Sequence, residues 1–172
     1  IIMVKILWFT GLSGAGKTTL AKALDNILKK KYKTILIDGD KFRKKTKTIN
    51  KFTSANIIKN NISIIKHIET IKNDYDYVLV AVIAPLVKTR SYAKKIFGKT
   101  YYEIHTFCSL ETLIRRDTKN LYKKAEKKII NNLIGFNSTI KYQKSRYKTV
   151  KVDTEKFNLY QSIQIIMNSI NI

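Results

Sequence analysis

The stretch Gly11-Leu12-Ser13-Gly14-Ala15-Gly16-Lys17-Thr18 constrains this chain more than any other, because it fits G-x-x-x-x-G-K-[ST] between an apolar run and a helix-like run. Lys5-Ile6-Leu7-Trp8-Phe9-Thr10 reads as a buried strand, and Leu20, Ala23, Leu24, Ile27 and Leu28 recur at helical spacing. A strand that turns through glycines into a helix is the setting of a phosphate-binding loop. Side chains at Gly11, Gly14 or Gly16 would keep phosphate oxygens away from the curled backbone, whose amides form an anion nest. Ser13, Ala15 and Thr19 complete the candidate phosphate-binding set. The helix opening at Lys17 adds its positive dipole end, the Lys17 ammonium reaches the β and γ phosphates, and the Thr18 hydroxyl is placed for a magnesium ion.

The remaining composition narrows the setting of this loop. A chain of 172 residues suits one α/β domain, residues 1–172, and with six Gly and one Pro no linker divides it. Lys and Arg total 34 against 12 Asp and Glu, a net charge of +22 that would ordinarily raise nucleic acid or an anionic membrane as partner. The lysines, however, are spread evenly among an excess of Ile and Asn, as a base-composition bias would leave them, so neither partner is expected. The single cysteine, Cys108, excludes an internal disulfide and lies in an apolar run, where it is expected to be buried. With no long apolar segment and no basic stretch leading into an apolar run and cleavage site, a cytoplasmic protein is expected.

Along the chain, Thr34-Ile35-Leu36-Ile37 reads as a second strand ending in Asp38-Gly39-Asp40. Ligands gather at the carboxyl ends of parallel strands, so this acid pair should face the same crevice as the phosphate loop. One carboxylate can hold magnesium through water while the other accepts a proton from an attacking hydroxyl. Asp38 and Asp40 are both candidate bases, and Asp38 is grouped with Thr18 as a candidate metal ligand. Lys41 to Lys51 is basic and unpatterned, a loop by expectation, whereas Ser54 to Lys72 carries an isoleucine stripe at helical spacing. Tyr77-Val78-Leu79-Val80-Ala81-Val82-Ile83 has the unbroken apolar character of a central parallel strand and runs into Ala84-Pro85. A helix is expected over 88–97, a fourth strand over 103–108 in which His105 is structural, a helix after Ser109, a fifth strand over 149–153 and a closing amphipathic helix. The polar, basic stretch after Arg116-Asp117 suits a lid, about 117–148, closing over the triphosphate. An acid at the end of the third strand and an Asn-Lys-x-Asp motif are both missing, which argues against a GTPase.

These residues resemble the adenylyl-sulfate kinases, phosphate-loop enzymes that move the γ-phosphate of ATP onto the ribose 3′-hydroxyl of adenosine 5′-phosphosulfate. The resemblance rests on Trp8-Phe9-Thr10-Gly11-Leu12-Ser13-Gly14, Asp38-Gly39-Asp40 with Arg43, Phe52, Ala84-Pro85, Arg116-Asp117 with Leu121-Tyr122-Lys123-Lys124-Ala125, and Val152-Asp153-Thr154. It implies a three-layer α/β P-loop NTPase fold with a parallel five-stranded sheet, and ATP and Mg2+ as cofactors. Lys17, Thr18, Arg116 and the region of Lys123 are similar to the family's ATP apparatus. Phe52 resembles the phenylalanine that stacks on the acceptor base, Arg43 the arginine near its phosphate, and Asn60 a helix asparagine facing the same ligand, with Asp40, Ala84 and Pro85 on that side. The chain has Lys44-Lys45-Thr46-Lys47 for the family's His-Gly-Leu-Asn, Asn56-Ile57 for its Asp-Arg, and Ala84-Pro85-Leu86-Val87 for its Ser-Pro-Tyr-Arg.

The expected activity is therefore phosphoryl transfer from ATP to adenylyl sulfate, or to another 5′-substituted nucleotide such as the cytidine diphosphoramidate used in capsule modification. A nucleoside monophosphate kinase would want an arginine cluster that the chain lacks. A basic RNA-binding protein with a vestigial nucleotide site is the rival of another class. A homodimer is compatible with the enzymatic reading.

Overall fold

A computed structural model describes residues 3–45 and 53–172. The five strands are β1 (Lys5–Thr10), β2 (Thr34–Asp38), β3 (Tyr77–Ala81), β4 (Tyr101–Phe107) and β5 (Val150–Asp153). They form one sheet in the order β2-β3-β1-β4-β5 with every pairing parallel. The helices are α1 (Lys17–Leu28), α2 (Gly39–Lys45), α3 (Ser54–Ile71), α4 (Val87–Phe97), α5 (Leu110–Arg116), α6 (Leu121–Glu126) and α7 (Leu159–Ser169). A three-layer α/β fold on a parallel five-stranded sheet is thus what the chain adopts.

The two-residue period of a strand sorts the core into two faces. Leu7 and Phe9 of β1 pack with Leu20 and Leu24 of α1 and with Ile163 and Ile166 of α7. Ile6 and Trp8 face the other way, onto Ile64, Ile65 and Ile68 of α3 and Ala93 and Phe97 of α4. β1 and β3 are covered on both sides, which is why neither sequence alternates between apolar and polar residues. β1 sits between β3 and β4, the neighbours reached in opposite directions, so the crevice beyond its carboxyl end lies at a switch in strand order. The phosphate loop leaves β1 at that point. A third, smaller apolar cluster of Ala15, Leu113, Tyr122, Ala125 and Leu133 lies beneath the loop.

Two local expectations are corrected, at the stretch after Asp40 and at Cys108. The stretch after Asp40 is helical as far as Lys45, because the Asp38 carboxylate accepts from the backbone amides of Asp40 (3.0 Å) and Lys41 (3.2 Å) and satisfies the opening turn of α2. Cys108 is half-buried, its thiol 3.6 Å from the Arg116 guanidinium. The stretch expected as a lid contains α6, docked by the buried Tyr122 and Ala125. Among the described residues no helix is long and apolar enough to cross a membrane.

Candidate active site

The phosphate loop takes its shape from two glycine positions. Gly11 has φ +146°, and a β-carbon there would lie 2.1 Å from the Thr106 carbonyl oxygen, so only glycine lets β1 turn away from β4 at this point. Gly16 has φ +91° and precedes the first turn of α1, which no side chain caps. The opening amides of α1 have no intrahelical partners and are available to an anion. The outer side of the loop is braced from the other half of the chain. The Tyr122 hydroxyl donates to the Ser13 carbonyl (2.9 Å), and the Thr154 hydroxyl donates to the Ala15 carbonyl (3.2 Å).

Lys17 is 9% exposed and folds back to donate to the Leu12 carbonyl at 2.6 Å. Burial, with Lys119 nearby, brings its pKa down from 10.5 to about 8, against the pull of Asp40 and Asp38. Thr18, one residue on, donates its hydroxyl to the Asp38 carboxylate at 3.1 Å. Asp40 takes different partners: it is ion-paired with Arg43 on α2 and with Lys119 from the segment preceding α6. Burial raises the Asp40 carboxyl, but the hydrogen bond and charge of Lys119, then Arg43 and Lys17, outweigh it and leave the group below the usual carboxylate range.

These groups open into a cavity of about 820 Å³. Its lining includes Ser13, Gly14, Gly16, Lys17, Thr18 and Thr19 of the loop, with Arg116 and Thr154. Asp38, Asp40 and Arg43 line it too, as do Asn60, Ala84 and Pro85. The candidate residues are therefore brought together, with three exceptions. Gly11 and Ala15 do not line the cavity; Gly11 is packed against Thr106, and the Ala15 side chain belongs to the cluster beneath the loop. Phe52 lies outside the described residues. Arg116 reaches the wall by donating to the Thr154 hydroxyl (2.9 Å) and carbonyl (2.6 Å). Asn60 is 4% exposed, lines the cavity and has a side-chain oxygen with no hydrogen-bond partner.

Sequence reasoning missed Lys119, which pairs with Asp40, and the buried Arg90 and Glu103, of which Arg90 holds the Ala84 carbonyl. Lys119 follows Arg116-Asp117 by two residues, a signal that could have found it. The pairing of Arg90 with Glu103 (3.1 Å) had no local signal.

Comparison with known proteins matches residues 3–153 to the adenylylsulphate kinase family. The chain belongs to that family. The adenylyl-sulfate kinase of Clostridium acetobutylicum is 35% identical over 153 residues, covering 88% of this chain and 75% of the relative. The cytidine diphosphoramidate kinase of Campylobacter jejuni is 32% identical over 166 residues, covering 96% and 95%. A solved APS kinase from Mycobacterium tuberculosis, in complex with AMPPNP and APS, superposes with a TM-score of 0.89 at 24% identity and full coverage of both chains. The kinase is thus an ATP-dependent phosphotransferase with a hydroxyl acceptor, and the reading as a non-catalytic protein falls away.

Proposed function

We propose that this kinase transfers the γ-phosphate of ATP to the ribose 3′-hydroxyl of a 5′-substituted nucleotide, with adenylyl sulfate as the acceptor the family favours. The observation that carries the reading is the division of labour between the two acids at the end of β2. Asp38 is engaged with Thr18 and the amides of α2, whereas Asp40 is ion-paired with Arg43 and Lys119 and lines the same cavity as the phosphate loop, Asn60 and Ala84. Asp40 is the candidate base and Asp38 the metal-side acid.

The loop amides and Lys17 bind the triphosphate, and Lys17 with Arg116 and Lys119 holds negative charge as it spreads over the migrating group. Asp40 accepts the proton of the acceptor hydroxyl as that oxygen bonds to the γ-phosphorus and the bond from phosphorus to the β–γ bridging oxygen breaks, leaving ADP. Thr18 and Asp38 offer hard oxygen ligands 3.1 Å apart that suit magnesium, and among the described residues no cluster of three or more His, Cys, Asp or Glu offers a metal site built from protein alone. Magnesium held there, largely by phosphate and water, would neutralise charge on the β and γ oxygens.

A second acceptor has a specific observation in its favour. The relative from Campylobacter jejuni is named for cytidine diphosphoramidate and is as similar as several relatives named for adenylyl sulfate, while Val87 stands where the family's arginine would help to grip an anion. Incubation with Mg-ATP and, separately, adenylyl sulfate, cytidine diphosphoramidate and nucleoside monophosphates, with ADP release followed, tests the reading. Acceptor-dependent ADP release with one of the first two, and a product carrying phosphate at the 3′ position, is the expected result. Turnover confined to monophosphates would refute it.

A further inference from the structure

Behind the Ala84–Pro85 wall of the cavity lies a buried polar cluster centred on Arg90 and Glu103. Arg90 of α4 is completely buried. Its guanidinium donates to the Glu103 carboxylate of β4 (3.1 Å), to the Ser145 hydroxyl (3.3 Å), to the Gln143 carbonyl and to the Ala84 carbonyl. Glu103 is saturated in turn, accepting from Ser145 (2.6 Å) and from the hydroxyls of Tyr147 (2.5 Å) and Tyr101 (3.5 Å). The Tyr142 ring stacks under the Arg90 guanidinium, 4.7 Å from its centre, and against His105 on its own side at 4.6 Å.

One of these contacts, from Arg90 to the Ala84 carbonyl, reaches residues 83–87, and neighbouring groups hold the rest of that segment. Thr10 donates to the Ile83 carbonyl (2.6 Å), Arg90 holds the Ala84 carbonyl, the Gln143 amide donates to the Pro85 carbonyl (2.8 Å), and the Gln143 side chain accepts from the Val87 amide (2.9 Å). Ala84 is held at φ +43°, a conformation that an alanine adopts only when its surroundings compel it. A fully buried arginine with this many fixed acceptors is far more than a salt bridge requires, since a buried ion pair alone contributes little net stability.

We propose that Arg90 is a positioning residue for the acceptor nucleotide: with Glu103 it clamps the strap 142–147 against residues 83–87 and thereby fixes the Ala84–Pro85 wall. The inference rests on the reading above that this wall faces the acceptor. Lysine cannot replace arginine here, because three donors on one nitrogen cannot span acceptors lying in different directions.

Two variants test it. Arg90→Lys keeps the charge inside the cluster and loses the fork; Gln143→Leu, at an exposed position, removes only the bond to the Val87 amide. In the full chain, amide hydrogen exchange at Val87 and Gln143 should quicken by about tenfold or more in Arg90→Lys, as the loss of a charged hydrogen bond allows, with exchange across α1 unchanged. Steady-state kinetics should show the acceptor KM rising by about tenfold in both variants while the Kd for Mg-ADP, by calorimetry, stays within about twofold. Unchanged exchange at Val87 and Gln143 in Arg90→Lys overturns the clamp whatever the acceptor is. Exchange that quickens with an unchanged acceptor KM, or with weakened Mg-ADP binding as well, overturns the positioning role. A wild-type protein inactive on every acceptor counts against the proposed function, whereas the exchange result still decides the clamp.

Discussion

Replacing Lys17 by methionine should make the ligand-free protein more stable while destroying its use for nucleotides. The side chain is almost wholly buried and its ammonium titrates at about 8 instead of 10.5, so the charged form is disfavoured inside the protein by roughly 3 kcal/mol. Methionine fills a similar volume without that cost, but leaves the Leu12 carbonyl without its 2.6 Å donor, which takes back about 1 to 2 kcal/mol. The net gain is about 1 to 2 kcal/mol, or a rise in Tm of about 2 to 8 °C for a chain of this length. The sign of the pH dependence follows from the direction of the shift. A lysine whose folded pKa is lowered destabilises fully below about 8 and progressively less as pH rises towards 10.5, because over that window the unfolded chain holds a proton that the folded one has released. The advantage of Lys17→Met should therefore be present at pH 7 and fade above pH 8. Thermal melts of both proteins at several pH values, each with and without Mg-ADP, measure this. The wild type should gain about 2.7 kcal/mol at a hundredfold excess of ligand over Kd, and the variant far less. A Tm for the variant below that of the wild type at pH 7, or an undiminished Mg-ADP shift, would refute the reasoning.

Gly11→Ala should cost about 3 kcal/mol or more, since the new methyl would sit 2.1 Å from a main-chain oxygen at a φ of +146°; urea unfolding with a midpoint equal to that of the wild type would contradict it. Asp40→Asn should lower kcat by about two to four orders of magnitude with Mg-ADP affinity retained, whereas Asp38→Asn should raise the magnesium concentration needed for half-maximal rate. Equal single-turnover rates for Asp40→Asn and wild type would remove Asp40 as the base. Glu155 accepts from the Thr112 hydroxyl and from the amide and hydroxyl of Ser109, which hold its carboxyl down at about 2. The stability it adds at the start of α5 is present above pH 4.5 and lost as pH falls through about 2, so Glu155→Gln should flatten the acid limb of a stability-against-pH curve. A limb of unchanged slope would show that the cap adds nothing.

Much of the fold was legible because its signals are consecutive. The phosphate loop needs neighbouring glycines, a lysine and a hydroxyl, and each does its work within a few residues of the others. β3 was legible for a related reason: burial on both faces leaves no polar position in Tyr77–Ala81. The opening of α2 was not, since Gly39-Asp40-Lys41-Phe42 has no helical apolar stripe and the turn depends on Asp38 capping it from outside the helix.

The succession of five strands along the chain, the phosphate-loop motif and the resemblance to a kinase family were thus legible in the sequence alone, because local chemistry and burial patterns are written in neighbouring residues, whereas the order of the strands in the sheet was not. Only the tertiary structure decided which acid of Asp38-Gly39-Asp40 meets Thr18 and which meets Lys119, for the two differ in what packs beside them and not in their type. The same holds for Arg90, which in sequence resembles any solvated cation on a basic helix. Its partners Glu103 and Ser145 lie 13 and 55 residues away, and no pattern along one segment records a contact that exists only after the sheet has closed.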